Sequence, residues 1–252
     1  MRGSNWKVDV LLTGSWRGAT SVLLSNGRQR IVVDTGLPRG AYRLVSALRA
    51  RGLAPEDVTG LINTHFHVDH VLNNSLFPQC AIYATQESHD WCRSLYSDLV
   101  DDAKWEQMIL RYYPETFQYE RARKHMQKSR KIALRWWDPA RLGDRSRFRG
   151  AETHPLPDNL EPLVTSGHVP GNLSVIVHRA SEPTVITGDA LLSRNHDEKV
   201  LTMIPHSKAQ SARDRARILA LKGRILPGHD REFRIGVTTP GDAMGIPSGG
   251  GA

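Results

Sequence analysis

The chain has 252 residues, with 34 Lys and Arg against 26 Asp and Glu for a formal charge of +8, and can bury a sizeable core in one domain. No apolar run reaches bilayer-spanning length, so no membrane partner is expected. The stretch Met1 to Lys7 lacks the apolar core of a secretory signal, and Cys80 and Cys92 are too few for a disulfide scaffold or a zinc ribbon, so a reduced, cytoplasmic setting is the expectation.

Val8 to Thr13 and Thr20 to Ser25 alternate like strands. Asn26-Gly27 is expected to supply two positive-φ positions of a tight hairpin, with the chain returning through Arg30 to Asp34. Ala41 to Arg51 carries Leu44, Val45 and Leu48 at helical spacing and ends near Gly52. Val58 to Asn63 and Ala81 to Ala84 read as further strands. This order predicts an α/β fold, a layered αββα sandwich.

The rhythm breaks from Gln86 to Arg149. That stretch is helical in propensity and rich in aromatics: Trp91, Trp105, Tyr112, Tyr113, Tyr119, Trp136 and Trp137. Pro114 and Pro139 are expected to separate its helices. It reads as a helical, basic insertion near residues 86–150, a cap forming one wall of a substrate pocket. Most of its aromatics are expected to be core. Tyr112-Tyr113 and Trp136-Trp137 are expected to be partly exposed, since adjacent residues on a helix cannot share one buried face. Eleven Lys or Arg lie between Arg121 and Arg149, with only Asp138 and Asp144 against them. Such a run is either a solvated helix face or an attractor of an anionic substrate or nucleic acid. An exposed aromatic insertion would also support a homodimer.

In the second half, Leu163 to Thr165, Leu173 to His178, Thr184 to Thr187 and Arg224 to Leu226 read as strands. Ser207 is expected to cap a helix through about Lys222, with Ala212, Ala216, Leu219 and Ala220 facing inward. Residues 1–237 are expected to form a single domain and 238–252 a disordered tail.

The chemistry concentrates in Thr64-His65-Phe66-His67-Val68-Asp69-His70, directly after a predicted strand. Three imidazoles and a carboxylate in six residues are costly to bury without a partner, and neutral imidazole is a common zinc ligand. On an extended backbone His65 and His67 project to one side. Asp69 and His70 are adjacent and cannot join that pair on one ion without a sharp turn. The spacing therefore predicts two neighbouring metal positions.

His65-x-His67-x-Asp69-His70 resembles the signature of the metallo-β-lactamase superfamily. Ser166-Gly167-His168-Val169-Pro170-Gly171 resembles its next ligand turn, Thr187-Gly188-Asp189 its bridging carboxylate, and Leu226-Pro227-Gly228-His229 its last histidine. Val33-Asp34-Thr35-Gly36 resembles the turn beneath the site. The resemblance implies one metal on His65, His67 and His168, a second on Asp69, His70 and His229, and Asp189 on both. Two divalent ions, zinc before manganese or iron, would share a hydroxide that attacks an ester-like or phosphodiester bond. Asp69 would be the catalytic proton carrier. Asp34 and Thr64 would orient ligands.

Within the superfamily the chain looks most like members of the metallo-β-lactamase domain-containing protein 1 type. Those share the acidic Asp197-Glu198 and the short ending through His229 to Phe233, and are linked to nucleic-acid cleavage. Lactonase or promiscuous β-lactamase activity is an alternative in the same site. Ala190-Leu191-Leu192-Ser193 lacks the tyrosine of acyl-homoserine lactonases, and Asp189 is unlike true β-lactamases of this motif class. Persulfide dioxygenases resemble the fold too, but hold one iron on the counterparts of His65, His168 and Asp189. His196, His206 and Arg194, with Lys208, are candidate substrate contacts after Asp189. His89, His125, His154 and His178 are expected on the surface or in turns.

Overall fold

Two-residue alternation in the strands sorts apolar side chains onto opposite faces, and that sorting generates the layers. The computed structural model of the chain describes residues 5–15, 18–114, 120–136, 139–195 and 206–236. One sheet runs β1 (Lys7–Leu12), β2 (Ser21–Ser25), β3 (Arg30–Val33), β4 (Gly60–Ile62), β5 (Ala81–Ala84), β6 (Phe148–Gly150), in that spatial order. Its first two pairings are antiparallel and those from β3 to β6 parallel. The second sheet places β11 (Phe233–Ile235), β10 (Gly223–Leu226), β9 (Thr184–Ile186), β8 (Leu173–Val177) and β7 (Leu160–Val164) side by side.

Val22, Leu24, Ile31, Val33 and Ile62 of the first sheet meet Leu173, Val175, Val177, Ile186 and Leu226 of the second. Their intervening neighbours point the other way. Leu23, Val32 and Leu61 pack on Leu44 and Leu48 of α1 (Ala41–Arg49), and Ile176, Val185 and Ile225 on Ile218 of α6 (Lys208–Ala220). The result is the expected αββα sandwich. Trp6 seals one edge, fully buried, with Nε1 donating to the Asp158 carbonyl at 2.8 Å.

Between β5 and β6 lie α3 (Gln86–Leu99), α4 (Asp102–Tyr112) and α5 (Glu120–Trp136). Trp91, Leu95, Leu99, Trp105, Met108 and Ile109 share a core with Phe66 and Val169, which sit beside His65 and His168 in sequence. Arg130 donates to the Leu99 carbonyl and pairs with Asp102, tying α5 to the other two helices.

Three expectations need correction. Positive φ occurs at Gly27 but not Asn26: the loop is four residues long, and the Asn26 side chain accepts from the Arg28 and Gln29 amides. In α6, Ala212, Ala216 and Ala220 are exposed, while Asp214 and Ile218 are buried with Leu219 at their margin. A buried carboxylate, bonded to a loop backbone, turns that helix away from its apparent apolar stripe. Tyr113 is buried, because it lies one residue beyond α4 with an extended φ of −136°, so helical adjacency does not govern it. Tyr119, Trp137 and the tail lie outside the described residues, as do the side chains of Tyr112 and Trp136. Among the described residues no helix is long and apolar enough to cross a membrane.

Candidate metal centre

The site is assembled from segments that leave the C-terminal ends of β4, β7, β9 and β10. After β4 the chain bends at Thr64, is extended again at His67 (φ −66°, ψ 149°), and then winds into the short helix α2 (Val68–Val71), which carries Asp69 and His70. This turn separates the two pairs predicted from spacing. Ligand-type atoms of His65, His67, His168 and Asp189 lie within 4.8 Å of one another, and those of Asp69, His70 and His229 form a second such group. His168 Nε2 is 3.1 Å from His67 Nδ1.

Asp189 stands between the groups, with its two oxygens turned to different sides. Oδ2 is 3.3 Å from His168 Nε2 and 3.9 Å from His65 Nε2; Oδ1 is 3.2 Å from both His70 Nε2 and His229 Nε2. Asp69 Oδ2 is 3.5 Å from His229 Nε2, at the more open edge.

The far sides of the rings are fixed by the protein. Asp34 accepts the Thr64 amide at 2.8 Å, the Thr64 hydroxyl at 2.7 Å and His70 Nδ1–H at 2.7 Å. The Thr64 oxygen lies 3.1 Å from His65 Nδ1, and the Ser15 carbonyl accepts from His229 Nδ1 at 2.8 Å. With Nδ1 engaged in all three, Nε2 is the nitrogen that each ring turns inward. The buried Nε2 atoms of His65, His70 and His229 and both oxygens of Asp189 have no hydrogen-bond partner among the described residues. Buried polar atoms are rarely left so, and a cation among them would satisfy all five.

Charge states point the same way. Burial, then the charges of His70 and His67, hold His65 well below its ordinary pKa. Loss of solvent pushes His67 down to about 4 and His168 to about 3, against the pull of neighbouring carboxylates. Both rings are thus neutral near pH 7, each with one ring nitrogen free of a proton, the form in which imidazole ligates a cation. Burial also opposes charge on His70 and His229, yet Asp189, helped by Asp34 and Asp69 respectively, wins. His70 is held well above its ordinary value and His229 is raised to about 9. Burial alone would raise Asp189, but His229 and His70 hold it well below the carboxylate range.

All seven residues given ligand roles by resemblance converge here. The weaker candidates divide. His206 donates its amide to the His168 carbonyl at 2.9 Å and sets its ring edge-on to Tyr113. Arg194 instead packs its guanidinium over Phe233 on the outer face of the second sheet. His196 lies outside the described residues, as do Asp197 and Glu198. His154 and His178 are exposed as expected; His89 is not, since its ring stacks on Phe148 with centroids 3.9 Å apart. The side chain of His125 is outside the described residues. The Ser15 carbonyl and Asp214 were missed. A backbone carbonyl leaves no sequence signal, whereas an aspartate interrupting the inner face of a helix does.

A family model described as the metallo-beta-lactamase superfamily matches residues 14–229. The human metallo-beta-lactamase domain-containing protein 1 is 29% identical over 219 residues, covering 86% of this chain and 64% of that relative; this chain thus spans less than two thirds of its length. Two solved structures share the fold. AbOPH, a hydrolase in the beta lactamase superfamily, gives a TM-score of 0.58 at 18% identity, covering 88% of this chain and 80% of its own. AidC, a dizinc quorum-quenching lactonase, gives 0.55 at 17%, covering 90% and 85%. With the loops that carry the candidate ligands lying inside the matched span, the chain belongs to the metallo-beta-lactamase superfamily.

Proposed function

We propose that this metal-dependent hydrolase works with two divalent ions, zinc before manganese or iron, and cleaves an ester-like or phosphodiester bond. His65, His67 and His168 would hold one ion, Asp69, His70 and His229 the other, and Asp189 both. The observation carrying this reading is Asp189, whose two unpartnered, buried oxygens face different sets of imidazoles. A neighbour of the same fold described as dizinc supports the count and keeps a lactone among the candidate substrates.

Bound there, the ions would supply a water acidic enough to act as a nucleophile near neutral pH and would stabilise negative charge on the reacting oxygens. The remaining tasks fall to the chain. Asp34 and the Ser15 carbonyl hold the Nδ1 protons of His70 and His229, so their Nε2 atoms stay free to ligate. We assign Asp69 the transfer of a proton to the leaving atom, which its partial exposure and its place beside His229 support. The helices α3 to α5 would form one wall of the substrate pocket. Arg123, Lys124, Lys128 and Lys131, exposed on α5, favour an anionic substrate or nucleic acid. The free, buried Cys80 and Cys92 suit a reducing, cytoplasmic compartment.

The test is turnover of the metal-defined protein on lactones, thioesters, phosphodiesters and β-lactams, beside Asp69→Asn. Hydrolysis of one class is expected, with most turnover lost in the variant while at least one ion is retained. Unchanged turnover would remove the role given to Asp69. One iron per chain with oxygen uptake would replace the hydrolase by a dioxygenase.

A further inference from the structure

We propose that Asp214, a carboxylate on the inner face of α6, is a positioning residue for His168, fixing the loop that delivers that imidazole to the site. This rests on the metal reading above and adds to it a residue remote from the ligand loops in sequence.

Asp214 is fully buried, an unusual place for a carboxylate unless its bonds are specific. Its Oδ2 accepts the Gly167 amide at 2.9 Å, across 47 residues of chain. Oδ1 accepts from Gln210 Nε2 at 2.7 Å and lies 3.3 Å from Arg217 Nη1. Arg217 also donates to the Val164 carbonyl, at the end of the strand that leads into the same loop.

The rest of the loop is held from the same side. The Ser207 amide donates to the Gly167 carbonyl at 3.0 Å, and the His206 amide to the His168 carbonyl at 2.9 Å. Both polar atoms of Gly167 and the carbonyl of His168 are therefore bound by residues 206–214. The approach is so close that a β-carbon at position 167 would collide with the Ser211 backbone. A charged acceptor makes a stronger and more directional bond than a neutral one, and Asp214 is the charged member of this set. His168 is one residue from the clamp, and its Nε2 must stay within reach of His67 and Asp189. A site of this kind tolerates little displacement of its ligands.

The test compares Asp214→Leu, Asp214→Asn and Ile218→Ala by zinc competition against a chromophoric chelator, with thermal unfolding of the zinc-free proteins alongside. Leucine removes the acceptor and leaves the Gly167 amide unsatisfied. Asparagine keeps an oxygen for it. Ile218 shares the buried face of α6 and controls for loss of packing alone. The expected result is zinc affinity about tenfold weaker in Asp214→Leu, the lower end of what lost support around a ligand costs. Asp214→Asn should recover most of it, and Ile218→Ala should unfold earlier while binding zinc as the wild type does. Equal affinities in Asp214→Leu and wild type, or equal losses in Asp214→Leu and Ile218→Ala, would overturn the proposal while leaving the metal reading intact. A wild-type protein that takes up no zinc would overturn the metal reading and this inference with it.

Discussion

Asp34 Oδ2 lies 2.7 Å from His70 Nδ1, on a residue held in the left-handed region at φ +57°. The same carboxylate binds the amide and hydroxyl of Thr64, so one buried group orients two neighbouring residues of the histidine loop. Asparagine and aspartate tolerate that backbone better than other side chains with a β-carbon.

Asp34→Ala should therefore cost more than Asp34→Asn. Alanine adds backbone strain and leaves buried donors unpaired, at about 1–3 kcal/mol each. Urea unfolding of the two variants checks the order, with Asp34→Asn expected between wild type and Asp34→Ala. Equal midpoints for wild type and Asp34→Ala would refute it.

Metal-free protein should be most stable near pH 6.5 and lose stability on either side, as far as the site histidines contribute. His229, raised to about 9, contributes stability that is full below the unfolded value near 6.5 and lost as pH climbs through 9. His67 and His168, depressed to about 4 and 3, take up protons more readily unfolded, so their contribution fades as pH falls below 6.5. Melting temperatures of chelator-treated protein from pH 4 to 10 should trace this dome over several degrees. Zinc should flatten its alkaline limb, because ligation keeps His229 neutral. A flat metal-free profile would contradict the charge assignments.

Gly228→Ala should disturb the site through Asp189. A β-carbon at 228 would overlap Asp189 Oδ1 and come within 2.7 Å of the Gly188 carbonyl oxygen. Metal content after zinc loading is expected to fall while far-ultraviolet circular dichroism keeps the αββα signature. A full complement of metal in the variant would show that Asp189 can move without consequence.

Much of this centre was legible in the sequence because a ligand set needs fixed residue types just after strands, and strands announce themselves by alternation. What escaped notice came from contacts that alternation and spacing do not encode. The inner face of α6 is not legible from spacing because Asp214 occupies it, and periodicity counts an aspartate as outward. The burial of Tyr113 is hidden in the sequence because it turns on lying just past the end of α4, and helix ends shift by a residue or two. The basic run reads as free charge in sequence, yet Arg147 donates to the Phe77 and Cys80 carbonyls and Arg149 to those of Ser146 and Phe148. These arginines brace β6 and the chain around it, while Arg123, Lys124, Lys128 and Lys131 on α5, and Arg145 beyond it, are exposed.

Neither cysteine should react in the folded protein. Burial pushes the Cys80 thiol up to about 11, with Sγ donating to the Val58 carbonyl, and drives Cys92 higher still. Iodoacetamide at pH 8 should leave both unmodified for as long as it takes to label them fully in urea. Rapid native labelling of either would place it at an accessible surface.

The central claim is that seven side chains from distant parts of the chain enclose two cations. Elemental analysis of the protein after zinc loading and removal of free metal tests this most directly. Two zinc ions per wild-type chain, falling to one or none in Asp189→Ala, is the predicted result. Wild-type chains that emerge without bound metal, after zinc and after manganese alike, would contradict it.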